Sequence, residues 1–411
     1  MSPQSGAGQD EKGEVRTVSP PQAISGRLAR HLPLSVALAF AFAAFYLPLG
    51  IHMPYLSLWL QSRGLGPEEI GVALAVPLIA RLFATPVLGF LSDRWGRPRA
   101  LLITLAAATC LSTTALALSV EPLLIFIVLG LMAMSWNPSF SLLDSYSARQ
   151  ARAGRADYGR SRQWGSGSFL MANLVGGAII TLLGAGSIVL MMLFGHLAYL
   201  AALFTLPELE RPAPVAHAAR SSMKGLWWLV VAVLAIALVQ ASHALLYAFG
   251  SLQWQAQGFS LTTIGVLWAV GVAAEIVLFR FGSRLIASIG ALPMVMLGGL
   301  AAVVRFGAMA FDPPLLLLLP LQLLHAFTFG ATYLGMVELV ARGVSEHRSA
   351  SAQSLASWTV SLMMGGASVV AGVLWVRMGS YAFLTSAGLG GLGILVAGLA
   401  LLMQRRTFAP E

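Results

Sequence analysis

Apolar stretches of about 20 residues recur along the chain and alternate with short polar segments. An α-helix needs about 20 apolar residues to cross a bilayer, whereas a membrane-barrel strand needs about 10 residues of alternating polarity. The pattern therefore predicts an all-α membrane protein with twelve transmembrane helices. The predicted spans are 34–60, 68–91, 100–119, 123–147, 163–186, 187–207, 225–250, 262–284, 290–311, 314–341, 350–377 and 380–403.

Three polar segments set the predicted domain organisation. Residues 1–32 are rich in Pro, Gly and Ser, and they predict a disordered N-terminal tail without the short apolar core of a cleavable signal peptide. Residues 208–224 contain Pro and charged residues, and they predict a linker between two six-helix bundles at 33–207 and 225–404. Residues 405–411 form a predicted C-terminal tail.

Composition and charge support a membrane protein. The chain is 57% hydrophobic and 10% charged, with a net charge of +9. When both termini are placed on one side, all but four of the 25 Lys and Arg residues fall on that side; the four are Arg63, Arg81, Arg305 and Arg377. This asymmetry predicts cytoplasmic termini and an inner-membrane location. The basic charge thus reports orientation in the lipid bilayer and does not indicate a nucleic-acid partner.

The second half of the chain repeats the first. Residues 57–81 and 251–275 share ten of 25 positions at a constant offset of 194, including Ile70-Gly71-Val72 against Ile264-Gly265-Val266. Two parallel six-helix repeats are typical of secondary transporters that rock around a site at mid-membrane. The same offset places Arg81 and Glu275 at equivalent depths. We expect these opposite charges to face each other across a central cavity.

The segment Gly89-Phe-Leu-Ser-Asp93-Arg94-Trp-Gly96-Arg97 resembles the loop 2–3 signature of the major facilitator superfamily. The resemblance implies the major facilitator fold, with two pseudo-symmetric six-helix bundles that usually act as a monomer. It also implies a gating latch, for which Asp144 on helix 4 would be an acidic partner. The predicted latch residues are Gly89, Asp93, Arg94, Gly96, Arg97 and Asp144.

Two further segments narrow the resemblance. Asp157–Ser166, at the predicted start of helix 5, and Leu324–Gly330 on helix 10 are similar to segments of the 3-phenylpropionate/proton symporters, which are close to the oligosaccharide/proton symporters. The resemblance implies uptake of a small molecule driven by protons. We interpret Asp157–Ser166 mainly as a helix-capping loop.

Few polar residues lie within the predicted helices, and intramembrane charges are functional candidates by default. For proton coupling we predict Glu275 as the proton carrier, with Arg305 and His325 beside it. Arg81 would bind a carboxylate through its guanidinium fork. The predicted substrate-binding residues are Arg81, Asn137, Gln240, His243, Tyr247 and Trp268.

These features predict a secondary transporter that imports a small aromatic carboxylate with protons. Two alternatives remain open: proton symport of a neutral nucleoside or sugar, and efflux of a drug or metabolite by proton antiport. A sensor or structural role is disfavoured because it would leave the intramembrane charges unexplained. The only two lysines, Lys12 and Lys224, do not form a P-loop. The single cysteine and the scattered histidines form no metal-ligand pattern. The sequence therefore predicts no enzymatic activity, no cofactor and no metal.

Overall fold

Six helices form the first half of the chain. The computed structural model describes residues 32–208, 227–344 and 346–407, without the side chains of Asp93, Ser283 and residues 346–351. Residues 1–31 of the predicted tail, 209–224 of the linker and 408–411 lie outside the described residues. The six helices are α1 (Leu34–Ser62), α2 (Pro67–Trp95), α3 (Pro98–Leu118), α4 (Pro122–Arg152), α5 (Tyr158–Leu183) and α6 (Ser187–Phe204).

Six further helices form the second half, and two of them contain a π-helical segment. They are α7 (Trp227–Ala256), α8 (Leu261–Ile289), α9 (Ala291–Met309), α10 (Leu315–Gly343), α11 (Glu346–Met378) and α12 (Phe383–Thr407). The π-helical segments are Leu246–Gly250 in α7 and Ala326–Ala331 in α10. The described residues contain no strand. Since α12 continues to Thr407, the predicted C-terminal tail begins too early.

Local sequence signals explain the helix ends. Pro67, Pro98 and Pro122 each stand in the first turn of a helix, where the missing N–H costs nothing. Gly96 ends α2 in the left-handed conformation at φ 63°, which favours glycine. The Asp157 side chain caps α5 by accepting a hydrogen bond from the Arg160 N–H at 2.9 Å. The predicted start of helix 5 at residue 163 is therefore wrong: most of the segment 157–166 is helical.

The helices are long and apolar enough to cross a membrane. By length and composition, the described residues contain eleven candidate spans, and one of them, Ala352–Thr407, covers both α11 and α12. A short 3₁₀ turn, Gly379–Ala382, separates those two helices. Large apolar side chains such as Leu111, Leu182 and Leu316 are exposed, as lipid-facing residues of a membrane protein are. The chain is a multi-pass membrane protein with the twelve predicted helices.

The two halves meet through α2 against α11 and α5 against α8. These two contacts are equivalent under the internal repeat, because α8 repeats α2 and α11 repeats α5. We call the face where α1 begins and α12 ends the terminal side, and the opposite face the far side. Successive spans run in opposite directions, so α2 and α8 begin at the far side, where α5 and α11 end.

Close approach of the backbones seals the far side. A Cβ atom added at Gly177 of α5 would lie 2.2 Å from the Leu261 carbonyl oxygen of α8, and one at Gly265 would lie 2.3 Å from the Asn173 oxygen. The Tyr55 hydroxyl donates a hydrogen bond to the Asn173 carbonyl at 2.7 Å and lies 3.5 Å from the Leu261 carbonyl. Only glycine permits helices to come this close. We call Tyr55, Asn173, Gly177, Leu261 and Gly265 the far-side gate.

The second crossing has the same character. A Cβ at Gly71 of α2 would lie 2.7 Å from the Ser368 carbonyl oxygen of α11, and one at Gly372 would lie 2.7 Å from the Glu68 Cα. Nearer the terminal side, Gly89 of α2 and Gly167 of α5 have no atom within 4 Å of an added Cβ. The close backbone contacts at these two crossings therefore lie at the far side.

Candidate substrate and proton site

Glu275, His325 and Arg305 form one chain of contacts inside the second half. The His325 Nε2 atom lies 3.6 Å from a Glu275 carboxylate oxygen, and its Nδ1 atom lies 3.1 Å from an Arg305 nitrogen. Arg305 is 1% exposed, and the Glu275 side chain is 16% exposed. The structure thus brings together the three residues predicted for proton coupling, on three helices, α8, α9 and α10.

The hydrogen-bond partners fix the tautomer of His325. A guanidinium only donates hydrogen bonds, so the Nδ1 atom that faces Arg305 must be an acceptor. The hydrogen of the neutral ring then lies on Nε2 and points towards Glu275. The 3.6 Å separation is longer than a normal hydrogen bond. Small rotations of the Glu275 side chain can therefore make or break this contact.

Arg305 also connects to two residues that the sequence analysis missed. It donates hydrogen bonds to the Gln322 side-chain oxygen at 2.6 Å and to the Thr328 hydroxyl at 3.3 Å. Gln322, His325 and Thr328 follow one another at intervals of three residues along α10. This i, i+3 spacing places them on one helix face, and it was the sequence signal that could have found them.

The network continues to α7 through Thr328. The Thr328 hydroxyl lies 2.9 Å from His243 Nε2, and His243 Nδ1 lies 3.0 Å from the Gln240 carbonyl oxygen. Because a carbonyl only accepts, His243 carries its hydrogen on Nδ1 and accepts the Thr328 hydrogen at Nε2. Gln240 donates to the Thr332 hydroxyl at 2.7 Å. Gln240 and His243, predicted to bind substrate, are therefore buried and connect to Arg305 through Thr328.

Aromatic rings line this network, and the π-helical segments lie beside it. His243 stacks on Tyr247 with ring centroids 5.5 Å apart, and Tyr247 stacks on Trp268 at 5.9 Å. The Trp268 N–H donates a hydrogen bond to the Ser251 hydroxyl at 2.9 Å. The segments Leu246–Gly250 and Ala326–Ala331 directly follow Leu245 and His325. Such segments are frequent at functional sites.

A second cluster lies in the first half, around Arg162 of α5. The Arg162 guanidinium stands over the Tyr46 ring with its Cζ 4.5 Å from the centroid and donates a hydrogen bond to the Tyr46 hydroxyl. It also forms an ion pair with Asp144 at 3.9 Å. Asp144 accepts a 2.7 Å hydrogen bond from the Tyr158 hydroxyl. Arg162 was expected in a helix-capping loop, and its place in this cluster was not predicted.

The charges of the two clusters act on each other between the halves. Arg162 interacts electrostatically with Glu275 of the second half. Tyr333 of α10, which is 42% exposed, interacts with Asp144 and Arg162 as well as with Glu275. We call the space between these charged and phenolic groups the central cavity.

Arg81 and Glu275 do not face each other as expected. Arg81 donates hydrogen bonds to the Ser361 hydroxyl of α11, from Nε at 3.0 Å and from a terminal nitrogen. Ser361 in turn donates to the Ser357 carbonyl at 2.8 Å. The reason is the pairing of the halves: α2 lies against α11, and α8 lies against α5. The helices that carry Arg81 and Glu275 therefore each contact a different helix of the other half, and the two residues do not meet.

Asn137 and the latch residues complete the predicted set. The Asn137 amide donates to the Pro77 carbonyl of α2 at 3.4 Å, which links α4 to α2 at mid-depth. Arg94 and Arg97 are exposed, and the Asp93 side chain lies outside the described residues. The described polar partners of Asp144 are Tyr158 and Arg162. Within the described residues, no group of three or more His, Cys, Asp or Glu could hold a metal ion.

The family follows from a comparison with known protein families. The sequence model of the MFS_1 like family matches residues 31–385. The chain belongs to the MFS_1 like family. Its fold is the major facilitator fold, and the protein is a secondary transporter of that type.

Proteins similar to this chain in sequence are named as transporters. The chain is 26% identical to the probable 3-phenylpropionic acid transporter of Escherichia coli (strain K12) over 355 residues, which cover 84% of this chain and 92% of that protein. It is 28% identical to the maltose permease of Geobacillus stearothermophilus over 284 residues, covering 67% of this chain and 71% of the permease.

Solved structures share the fold at low sequence identity. The nucleoside transporter NupG superposes with a TM-score of 0.75 at 17% identity, covering 91% of this chain and 100% of that one. A bacterial homologue of the human lysosomal transporter Spinster, in an inward-facing and unoccupied conformation, gives a TM-score of 0.67 at 14% identity, with 93% and 98% covered.

Proposed function

We propose that this transporter imports a small organic anion together with protons. The observation that carries the proposal is the arrangement of Glu275, His325 and Arg305, in which a poorly exposed carboxylate contacts an imidazole that an arginine holds from its other side. Proton uptake by Glu275 removes one negative charge from this network. The charge change would weaken the contact with His325 and leave the carboxyl group free for a different partner.

The same groups could couple proton transfer to movement of the halves. Glu275 lies on α8, which contacts α5 of the first half, and Glu275 interacts electrostatically with Arg162 of α5. A charged Glu275 attracts Arg162, and a protonated Glu275 does not. The protonation state of one residue thus changes the attraction between the halves at the central cavity, as alternating access requires.

For the substrate we propose an aromatic carboxylate of the 3-phenylpropionate kind. Two arginines, Arg81 midway along α2 and Arg162 beside Tyr46 in the first turns of α5, offer the planar fork that suits a carboxylate. Tyr247 and Trp268 offer stacked rings beside the network for an apolar part. The name of the Escherichia coli relative, which shares 26% identity, agrees with this substrate class.

A neutral hydroxylated solute, such as a sugar or nucleoside, is the second candidate. It is favoured by the ion pair between Arg162 and Asp144, since a guanidinium and a carboxylate side by side can donate and accept hydrogen bonds to hydroxyl groups. The names of the maltose permease and of NupG are consistent with it. Efflux by proton antiport would use Glu275 equally well and differs only in direction.

We further propose that the protein works as a monomer in the inner membrane, with both termini in the cytoplasm, and that it is not an enzyme. In that orientation the far side is periplasmic, and the far-side gate closes the periplasmic face. The excess of Lys and Arg on the terminal side supports this orientation.

The test is uptake of labelled 3-phenylpropionate into proteoliposomes, with and without a pH gradient that drives protons inward (acid outside). We expect accumulation that the gradient drives and that a protonophore abolishes. If folded protein accumulates a sugar or nucleoside instead, the second candidate replaces the first. Accumulation that is the same with and without the gradient, and that a protonophore does not reduce, would overturn proton coupling for either substrate.

A further inference from the structure

A cavity of about 580 Å³ opens at the far side, between the two halves. The first half contributes Leu58 and Gln61 of α1 and Thr181 of α5, and the second contributes Gln255 and Phe259 from the end of α7 and the loop after it. We call this cavity the vestibule. Its volume falls within the range of about 300–1,000 Å³ typical of small-molecule sites.

The far-side gate forms the floor of the vestibule. Leu261 belongs to both, because it lines the cavity and its carbonyl oxygen contacts Gly177 and Tyr55. Leu58 follows Tyr55 by three residues on α1, and Thr181 follows Gly177 by four on α5, so each lies one helical turn further out. The vestibule is therefore separated from the central cavity by the gate contacts.

The lining determines what the vestibule could bind. None of its eleven lining residues, all described, carries a charge. Leu58, Leu261 and Phe259 offer apolar surface, while Gln61 and Gln255 offer amide groups. An ion would lose its hydration here without gaining a counter-charge. The fitting ligand is an uncharged amphipathic molecule with an aromatic or aliphatic part and a few hydrogen-bonding groups.

We propose that the vestibule is an inhibitory binding site for such a molecule. Its walls come from both halves, and they are close together only while the far-side gate is closed. A ligand that contacts both walls binds the closed state more tightly than a state in which the walls have separated. By linkage it holds the far side closed and slows transport. This proposal needs the transporter assignment but no particular substrate.

The chain offers a clean test because Cys110 is its only cysteine and is buried. In a Cys110→Ala background, Thr181→Cys places a thiol in the vestibule. The Thr181 hydroxyl bonds only to the Gly177 carbonyl of its own helix among described partners, at 2.8 Å, so the unlabelled variant should transport normally. Leu182→Cys is the matched control, because Leu182 is 82% exposed and does not line the cavity.

Both variants are labelled with benzyl methanethiosulfonate, which leaves an uncharged aromatic adduct, and with the small methyl reagent. We expect the benzyl adduct at Thr181→Cys to lower the initial uptake rate by about tenfold or more, and the methyl adduct to change it little. Thermal unfolding in detergent needs no substrate: the benzyl adduct should raise the melting temperature of Thr181→Cys only.

Two results would overturn the proposal. One is uptake at the unlabelled rate by fully labelled Thr181→Cys protein with an unchanged melting temperature. The other is equal inhibition by the benzyl adduct at Leu182→Cys, which would indicate a non-specific effect of the reagent. If the protein accumulates no solute at all, the melting temperature still decides whether the adduct bridges the halves.

Discussion

The far-side gate predicts that Gly265→Ala shifts the transporter towards opening at the far side. An added Cβ would lie 2.3 Å from the Asn173 carbonyl oxygen and 2.5 Å from the Tyr55 hydroxyl. The first of these atoms belongs to the backbone of α5, so it can move away only if the helix moves. The closed gate must therefore widen, while a state with separated halves accommodates the methyl group.

The size of the shift follows from the packing cost. Overpacking a well-packed contact by one methyl group costs about 1–3 kcal/mol. If the open state bears none of this cost, the ratio of open to closed molecules rises by about 5- to 150-fold. Alanine also favours the helix over glycine by about 0.5–1 kcal/mol. That gain is similar in both states and cancels from the ratio.

Distances between spin labels would measure the shift. Val120 and Phe311 are exposed at the far side, beyond the ends of α3 and α9, and belong to different halves. Val120→Cys and Phe311→Cys, in a Cys110→Ala background, accept spin labels for double electron–electron resonance. We expect Gly265→Ala to add or enlarge a long-distance population.

Gly167→Ala is the matched control, since Gly167 of α5 has no atom within 4 Å of an added Cβ. It should leave the distance distribution unchanged. An unchanged distribution in Gly265→Ala, or the same change in Gly167→Ala, would refute the proposed role of the far-side gate.

The remaining predictions concern the charged residues of the site. Glu275→Gln should abolish accumulation driven by a pH gradient while substrate exchange continues, and gradient-driven uptake by this variant would contradict its role as proton carrier. Arg305→Met leaves the acceptor atoms of Gln322 and His325 buried without a donor, at about 1–3 kcal/mol each, so its melting temperature should fall; an unchanged value would mean that the network adds no stability. Arg81→Gln should raise KM for an anionic substrate but not for a neutral one, and an equal effect on both would count against carboxylate binding.

Several residues of the site could be predicted from the sequence pattern alone. The sequence singled out Glu275, Arg305 and His325 because charged residues in apolar helices are rare, and the structure brings these three together. Gln322 and Thr328 stand three residues before and after His325, and this i, i+3 spacing indicates that all three share one face of α10. Such features are local to a helix, so the sequence contains them directly.

The sequence pattern did not predict which residues on different helices contact each other. The expected encounter of Arg81 with Glu275 is replaced by Arg81 with Ser361, and Asp144 contacts Tyr158 and Arg162 among the described residues. Helical periodicity fixes which residues share a face, but it does not say which helix that face meets.

The sequence by itself determined the number of helices, the charge asymmetry between the two sides and the internal repeat, because hydrophobic length and charge act residue by residue. Only the tertiary structure decided that α2 lies against α11 and α5 against α8, that glycines close the far side, and that Arg162 interacts electrostatically with Glu275. The physical reason is that helix pairing depends on the shapes of two surfaces at once, and a single methyl group at a crossing such as Gly265 can change it.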